Sequence, residues 1–192
     1  MAIGDDFKFG FQRQGDFALL AATGQQHGFQ VQAHDTFMID GVRVSSGRVR
    51  EALLNDDLDL AERLLGAPFT IDGEVVHGQE LGRKMGFPTA NILLPATERL
   101  AVRGVYAVQV SIQGEDTIYQ GVANVGSRPT VKGMHNQLEA HLFDMDADLY
   151  GQTLSVQFKY KIREEQKFDS VQALIEQIRQ DAMVSQRFFK SL

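Results

Sequence analysis

The second half of the chain is written in period two. Leu154, Val156, Phe158, Tyr160 and Ile162 alternate with Ser155, Gln157, Lys159, Lys161 and Arg163, which predicts a long strand with one buried and one wet face. Tyr106, Val108, Val110 and Ile112 alternate in the same way with Ala107, Gln109 and Ser111. Gln113-Gly114-Glu115-Asp116 then reads as a hairpin turn into a strand over Thr117–Val125. In 138–144, Leu138, Ala140 and Leu142 point one way and Glu139, His141 and Phe143 the other. Several strands joined by short turns predict a closed antiparallel barrel. The chain then changes period: Phe168, Val171, Leu174, Ile175 and Ile178 share one helical face, with Asp169 placed to cap it and Gln172 three residues on.

Before Pro68 helical spacing dominates. Phe17, Leu20 and Ala21 mark an amphipathic helix stopped by Gly24, and a strand-like stretch runs from Phe29 to Phe37. Val49, Ala52 and Leu53 lie on one helical face with Ser46 as the expected N-cap. Leu60, Ala61, Leu64 and Leu65 form a second short helix, with Gly66 as its C-terminal cap. The expected organisation is an α/β piece over 1–66 and a barrel with a C-terminal helix over 67–192. The first piece holds so few strands that it reads as the back half of a larger domain. No internal repeat or low-complexity tract interrupts either part.

Composition narrows the chemistry. In 192 residues the hydrophobic fraction is 43% and the charged fraction 23%, ordinary for a globular protein. The net charge of −6 argues against nucleic acid or an anionic membrane as partner, although a local cationic spot can still hold a nucleotide. Cysteine is absent, which excludes disulfides and thiolate metal sites and leans toward a reducing compartment. No apolar run approaches the roughly 20 residues that span a bilayer, and the first residues do not read as a signal peptide, so the cytoplasm is the expected location.

The densest chemistry lies in 75–91, VVHGQELGRKMGFPTAN. Gly78, Gly82 and Gly86 recur every four residues, and successive amides in such a turn can nest an anion. Arg83 and Lys84 supply charge for phosphate oxygens. Thr89 and Asn91 offer hard oxygens suited to Mg²⁺ that also touches phosphates. The alternative is a plain turn before a buried strand, its Thr and Asn satisfying local backbone. It is not a Walker loop, which needs four residues between its glycines and Ser or Thr after the lysine. Glu139, a carboxylate in mid-strand among apolar neighbours, is costly unless paired or used. It could accept a proton from a substrate hydroxyl, or lie on an exposed barrel face, or pair with a basic neighbour. Asp144, Asp146 and Asp148 alternate, but the sixth and twelfth positions of an EF-hand frame hold Leu149 and Ser155, so a polar hairpin turn is expected. The segment 121–130, GVANVGSRPT, either lines a pocket or crosses the barrel end, and 161–168, KIREEQKF, reads as a solvated charged face.

Taken in order, GRKMGFPTAN, GVYAV at 104–108, GVANVGSRPT, LEAHLFDMDADLYG and KIREEQKFDS resemble the riboflavin kinase module of bacterial bifunctional riboflavin kinase/FMN adenylyltransferases, over residues 67 to about 182. GDDFKFG at 4–10 and VSSGRVREAL at 44–53 resemble the last third of the adenylyltransferase domain of the same proteins. The resemblance implies a mainly β fold: a closed, Greek-key-like antiparallel barrel with a C-terminal helix, after a partial α/β nucleotidyltransferase-like segment. It implies transfer of the ATP γ-phosphoryl to the ribityl 5′-hydroxyl of riboflavin, giving FMN. By position, Thr89 and Asn91 would hold Mg²⁺ and the phosphates, and the loop from Gly78 to Gly86 with Arg83 and Lys84 would fold over them. Glu139 would be the general base. Flavin would sit between the region of Gly104 and Tyr106, the segments around Arg128 and Arg163, and the final helix.

The sequence also departs from that pattern. Nothing matches the His-x-Gly-His turn that opens the adenylyltransferase domain. Ser45-Ser46-Gly47-Arg48 stands where the family reads Ser-Ser-Thr before its Arg. The expectation is a riboflavin kinase without FMN adenylylation by this chain alone; a flavin- and nucleotide-binding fragment without turnover is the competing reading.

Overall fold

The computed structural model describes residues 1–4, 6–78, 82, 85–94, 100–130 and 133–192, with only the backbone described for 128–130 and 133–135. The chain forms two compact units, Met1–Arg48 and Val49–Leu192.

In the first unit, β1 (Ala2–Gly4) and β2 (Gln32–His34) pair in parallel, Ala2 opposite Gln32, across the helix α1 (Phe17–His27). Asp16 caps α1, its carboxylate accepting from the Leu19 amide at 3.0 Å. The helix does not stop at Gly24. It runs on to a left-handed Gly28, and Gly24 is there because the Phe29 carbonyl oxygen packs 2.4 Å from where a Cβ would sit. The expected strand over 29–37 shrinks accordingly to three residues. A two-residue hairpin, β3 (Met38–Ile39) and β4 (Val42–Arg43), completes the unit.

The helix α2 (Ser46–Leu54) leads into the second unit and α3 (Leu58–Leu65) follows it. The hydroxyl that receives the first free amide of α2 is that of Ser45, from Arg48 N at 3.3 Å, not that of Ser46. Gly66 ends α3 in the left-handed conformation, as its position predicted. The compact units divide before Val49, and in the second of them Ala52 and Leu53 of α2, and Leu58, Ala61 and Leu64 of α3, are buried, with α3 in contact with the barrel.

The barrel consists of β5 (Thr70–Val76), β6 (Ala90–Leu94), β7 (Gly104–Ile112), β8 (Ile118–Thr130), β9 (Gly133–Leu142) and β10 (Thr153–Arg163). Its closed order is β10-β5-β6-β9-β8-β7, antiparallel throughout. β7, β8 and β9 follow one another by hairpins while β6 lies beside β9, the Greek-key arrangement. The interior is filled by the apolar phase of each strand, with Ile92, Val108, Val110, Val125, Leu138, Leu154 and Val156 at 1% exposure or less.

Alternation fails in one place. β10 shifts register between Phe158 and Tyr160 and again between Lys161 and Arg163. An extra residue in one strand changes which side chains face inward. Tyr160, expected inside, is therefore exposed, while Lys161, expected on the wet face, is largely buried.

The last helix, α4 (Val171–Lys190), is capped by Ser170, whose hydroxyl accepts from Ala173 N at 3.1 Å, one residue later than the Asp169 cap expected. It packs on β7, β8 and β10, and the fully buried Ser185 donates to the Gly121 carbonyl at 2.8 Å. Among the described residues no helix is long and apolar enough to cross a membrane.

Candidate active site

Strand pairing assembles the site. Asn91 on β6 lies directly opposite Glu139 on β9, and Glu139 lies opposite Asn124 on β8. Asn124 is opposite Val105 on β7, and Val105 is opposite Arg163 on β10. One row thus crosses five strands on the outer face of the barrel wall, because the pleat sends the neighbours of these residues, Leu138 and Ile92 among them, into the core.

A cleft of about 310 Å³ opens over this row. Its polar side carries Thr89, Asn91, Asn124 and Glu139; its apolar side carries Phe87, Val105, and Phe168, Leu174 and Ile178 from α4 and the segment before it. A second cavity, also about 310 Å³, lies against the loop 145–150. Thr89 and Asn91 line both. In this region the His77 and Tyr150 rings stack with centroids 3.7 Å apart.

The glycine spacing has a steric basis at two positions. A Cβ on Gly78 would lie 2.7 Å from the Asn91 amide carbon. One on Gly82 would lie 2.4 Å from the Phe87 carbonyl oxygen and 3.3 Å from the Thr89 hydroxyl. Backbone therefore packs directly on the two oxygen-bearing side chains. Met85 N and Phe87 N both donate to Gly82 O, at 3.0 and 2.8 Å, folding the segment back on itself. Asn91 is 7% exposed; its Nδ2 donates to the Thr89 carbonyl at 3.2 Å and its Oδ1 accepts from Gln137 Nε2. A ring nitrogen of His141, Nδ1, meets the Pro88 carbonyl at 2.8 Å, and the same ring packs edge-on against Phe87.

At the other end of the row, Arg163 is committed to the helix. Its Nε donates to both Asp181 oxygens, at 3.0 and 3.1 Å, and its Nη2 to Oδ2 at 2.7 Å. Gln177 Nε2 adds a bond to Asp181 Oδ1 at 2.9 Å. The Asp181 side chain is 5% exposed, so this bidentate pair clamps α4 over the cleft. Within 161–168, Lys161 and Arg163 are thus turned to internal partners, while Glu164, Glu165 and Lys167 are exposed as the charges suggested.

The structure brings together Gly82, Thr89, Asn91, Glu139 and Arg163 around the cleft and seats Gly78 on Asn91. It does not bring Tyr106 there: that ring is fully buried inside the barrel. Gly104 lies next to the cleft residue Val105 with φ +100°, and a Cβ on it would meet the Arg163 carbonyl oxygen at 2.4 Å. Gly86 takes φ +82° in the turn between Met85 and Phe87. Arg83 and Lys84 lie outside the described residues, and the side chain of Arg128 is likewise outside them. The sequence reading missed Gln137, the Arg163–Asp181 clamp and the part of 145–150 in a cavity wall. The phase of Gln137, two residues before Glu139 on the same strand face, was the signal available for the first. Among the described residues no three His, Asp or Glu side chains gather as a metal cage.

Residues 65–189 match the riboflavin kinase (flavokinase) family and residues 1–48 the FAD synthetase family. The bifunctional riboflavin kinase/FMN adenylyltransferase of Haemophilus influenzae is 50% identical over 191 residues, 100% of this chain and 61% of that protein. That of Escherichia coli K12 is 51% identical over 190 residues, 98% of this chain and 60% of that protein. The chain therefore spans about three fifths of the length of these relatives. A Streptococcus pneumoniae protein described as a macrolide-efflux protein has a crystal structure that superposes with a TM-score of 0.74 at 34% identity, over 95% of this chain and 58% of its own. By the family match over its barrel and last helix, the chain belongs to the riboflavin kinase family.

Proposed function

We propose that this chain transfers the γ-phosphoryl group of ATP to the 5′-hydroxyl of riboflavin, giving FMN and ADP. The observation that carries the reading is the position of Thr89 and Asn91 on the boundary of two cavities, with Glu139 across the strand pair from Asn91. The cavity against 145–150 would take the nucleotide. The cleft under α4, with Phe87, Val105, Phe168, Leu174 and Ile178, suits a flat apolar ring system and would take the flavin. Donor and acceptor then meet at the row of polar side chains, which is the positioning that phosphoryl transfer chiefly requires.

The chemistry of this chain's own residues follows. Glu139 accepts the proton of the attacking hydroxyl as the oxygen forms its bond to phosphorus and the bond to the ADP oxygen breaks. The backbone from Gly78 to Gly86, with Arg83 and Lys84, would close on the phosphates. Thr89 and Asn91 would hold Mg²⁺: each offers a hard oxygen, and glycine backbone packs against both side chains. When bound, that ion would neutralise charge on the phosphates. In this reading residues 67–192 hold the kinase chemistry and residues 1–66 include the end of an adenylyltransferase domain.

The test is an incubation of the purified chain with riboflavin, ATP and Mg²⁺, with FMN and FAD separated and quantified. FMN should accumulate in step with ADP, and EDTA should stop it. Riboflavin binding with no FMN on long incubation would replace the enzyme by a binding fragment.

A further inference from the structure

The bulge in β10 places Lys161 opposite Tyr106, in the row adjacent to the one that forms the cleft. Around the Lys161 ammonium converge the Asp56 oxygens, both at 3.0 Å, the Tyr106 hydroxyl at 3.1 Å, the Glu164 carboxylate at 3.1 Å and the Arg103 carbonyl. The Tyr106 hydroxyl in turn lies 2.6 Å from Asp56 Oδ1 and accepts from Arg103 N at 3.2 Å. Burial, together with the bond to Asp56, pushes the Tyr106 phenol up to about 12, so it remains a donor. Burial alone would lower the Lys161 ammonium, but its bonds to Tyr106, Asp56 and Glu164 outweigh that and hold it above the usual lysine range.

Asp56 comes from the turn between α2 and α3, in the stretch between the two family matches. It is held at φ +57°, a left-handed conformation that a residue with a Cβ keeps only where its surroundings fix it. The network it completes grips the backbone of Arg103, one residue before Gly104. Gly104 is pressed between the Arg163 carbonyl and the Lys161 stem, the latter 3.0 Å from where a Cβ would sit. Val105 and Arg163, the next residues along, are cleft wall, and Arg163 holds α4 through Asp181.

We propose that Asp56, with Lys161 and Tyr106, is a positioning residue for the acceptor: it locks Arg103–Val105 against Lys161–Arg163 and so sets the wall of the flavin cleft, making the α2–α3 turn part of the kinase site. This rests on the assignment of that cleft to riboflavin. The role is confined to one substrate, since Val105 and Arg163, the residues the network fixes, line the cleft under α4 and not the cavity against 145–150.

In the full chain, Asp56→Asn and Tyr106→Phe should each raise KM for riboflavin about five- to tenfold, the scale of one ordinary hydrogen bond, with kcat and KM for ATP little changed. Tyr106→Phe removes one oxygen and preserves core volume, so it keeps the proposal testable should Asp56→Asn fail to fold. Asp56→Asn combined with Tyr106→Phe should weaken riboflavin no more than the worse single change, because both break one network. A fall in melting temperature with KM for riboflavin unchanged would overturn the proposal and leave a structural staple. Riboflavin affinity read from flavin fluorescence, without ATP, should show the same ratios. It keeps this test separate from the turnover reading, which fails if the unsubstituted chain binds riboflavin but makes no FMN.

Discussion

Two rows of residues one position apart divide the work of this barrel. The inner row, Ile92, Leu138 and Val125, is at most 1% exposed and wholly apolar. The outer row, Asn91, Glu139 and Asn124, uses the same strands in the same register and is wholly polar. Alternate side chains leave opposite faces of a strand, so one wall carries the packing inside and the proposed chemistry outside. The backbone that must be rigid for the inner row to pack is the backbone that holds the outer row in line. Activity and stability should therefore come apart under substitutions at adjacent positions, and that can be measured.

The largest effect belongs to the outer row. Glu139→Gln keeps shape and hydrogen-bonding capacity but removes the proton acceptor. It should lower kcat by about 10² to 10⁴, the range for loss of general base catalysis, while ATP affinity and melting temperature stay near those of the unsubstituted chain. Full turnover in this variant would take Glu139 out of the mechanism.

The next largest belongs to its neighbour. Leu138 has no exposed surface, and Leu138→Ala leaves a cavity in the barrel interior, costing about 2–5 kcal/mol of unfolding free energy. The denaturant midpoint of the barrel transition should fall, and kcat of the folded fraction should persist. If Leu138→Ala lost as much kcat as Glu139→Gln at equal folded fraction, the division between the rows would not hold.

What could be read from the sequence follows from which forces are local. Leu138, Ala140 and Leu142 alternate with Glu139 and His141, and period two alone separates their faces. The hairpin at 113–116 and the Gly66 cap are likewise local chemistry. The bulge at Phe158–Tyr160 was hidden, since it is defined by the partner strand β7 and leaves no mark on the alternation of β10. Lys161 was therefore assigned to solvent. Its partner Asp56, far away in the chain, sits in what looked like an ordinary turn. The α4 cap slipped by one residue because Asp169 and Ser170 can both accept from a free amide, and only the backbone turn selects Ser170. For the site, Thr89, Asn91 and Glu139 were singled out by residue type in unusual places. The Arg163–Asp181 clamp was hidden because it joins a strand end to a helix face, and residue spacing does not encode that contact.

The smallest effect tests how the outer row is joined to the segment that precedes it. The Pro88 oxygen can only accept, so His141 Nδ1 must carry the hydrogen in this contact. His141 follows Glu139 on the same face, and Pro88 immediately precedes Thr89. The bond therefore ties the strand that carries Glu139 to the segment that carries Thr89, and Phe87 against the ring adds a second contact. His141→Leu keeps bulk and loses the donor. KM for ATP should rise about fivefold, near 1 kcal/mol for one neutral hydrogen bond, with kcat falling much less than in Glu139→Gln. Asn places an amide nitrogen close to the position of Nδ1, so His141→Asn should recover part of the loss. Equal KM for ATP in the Leu and Asn variants would show that packing against Phe87, and not the bond to Pro88, holds Thr89 in place.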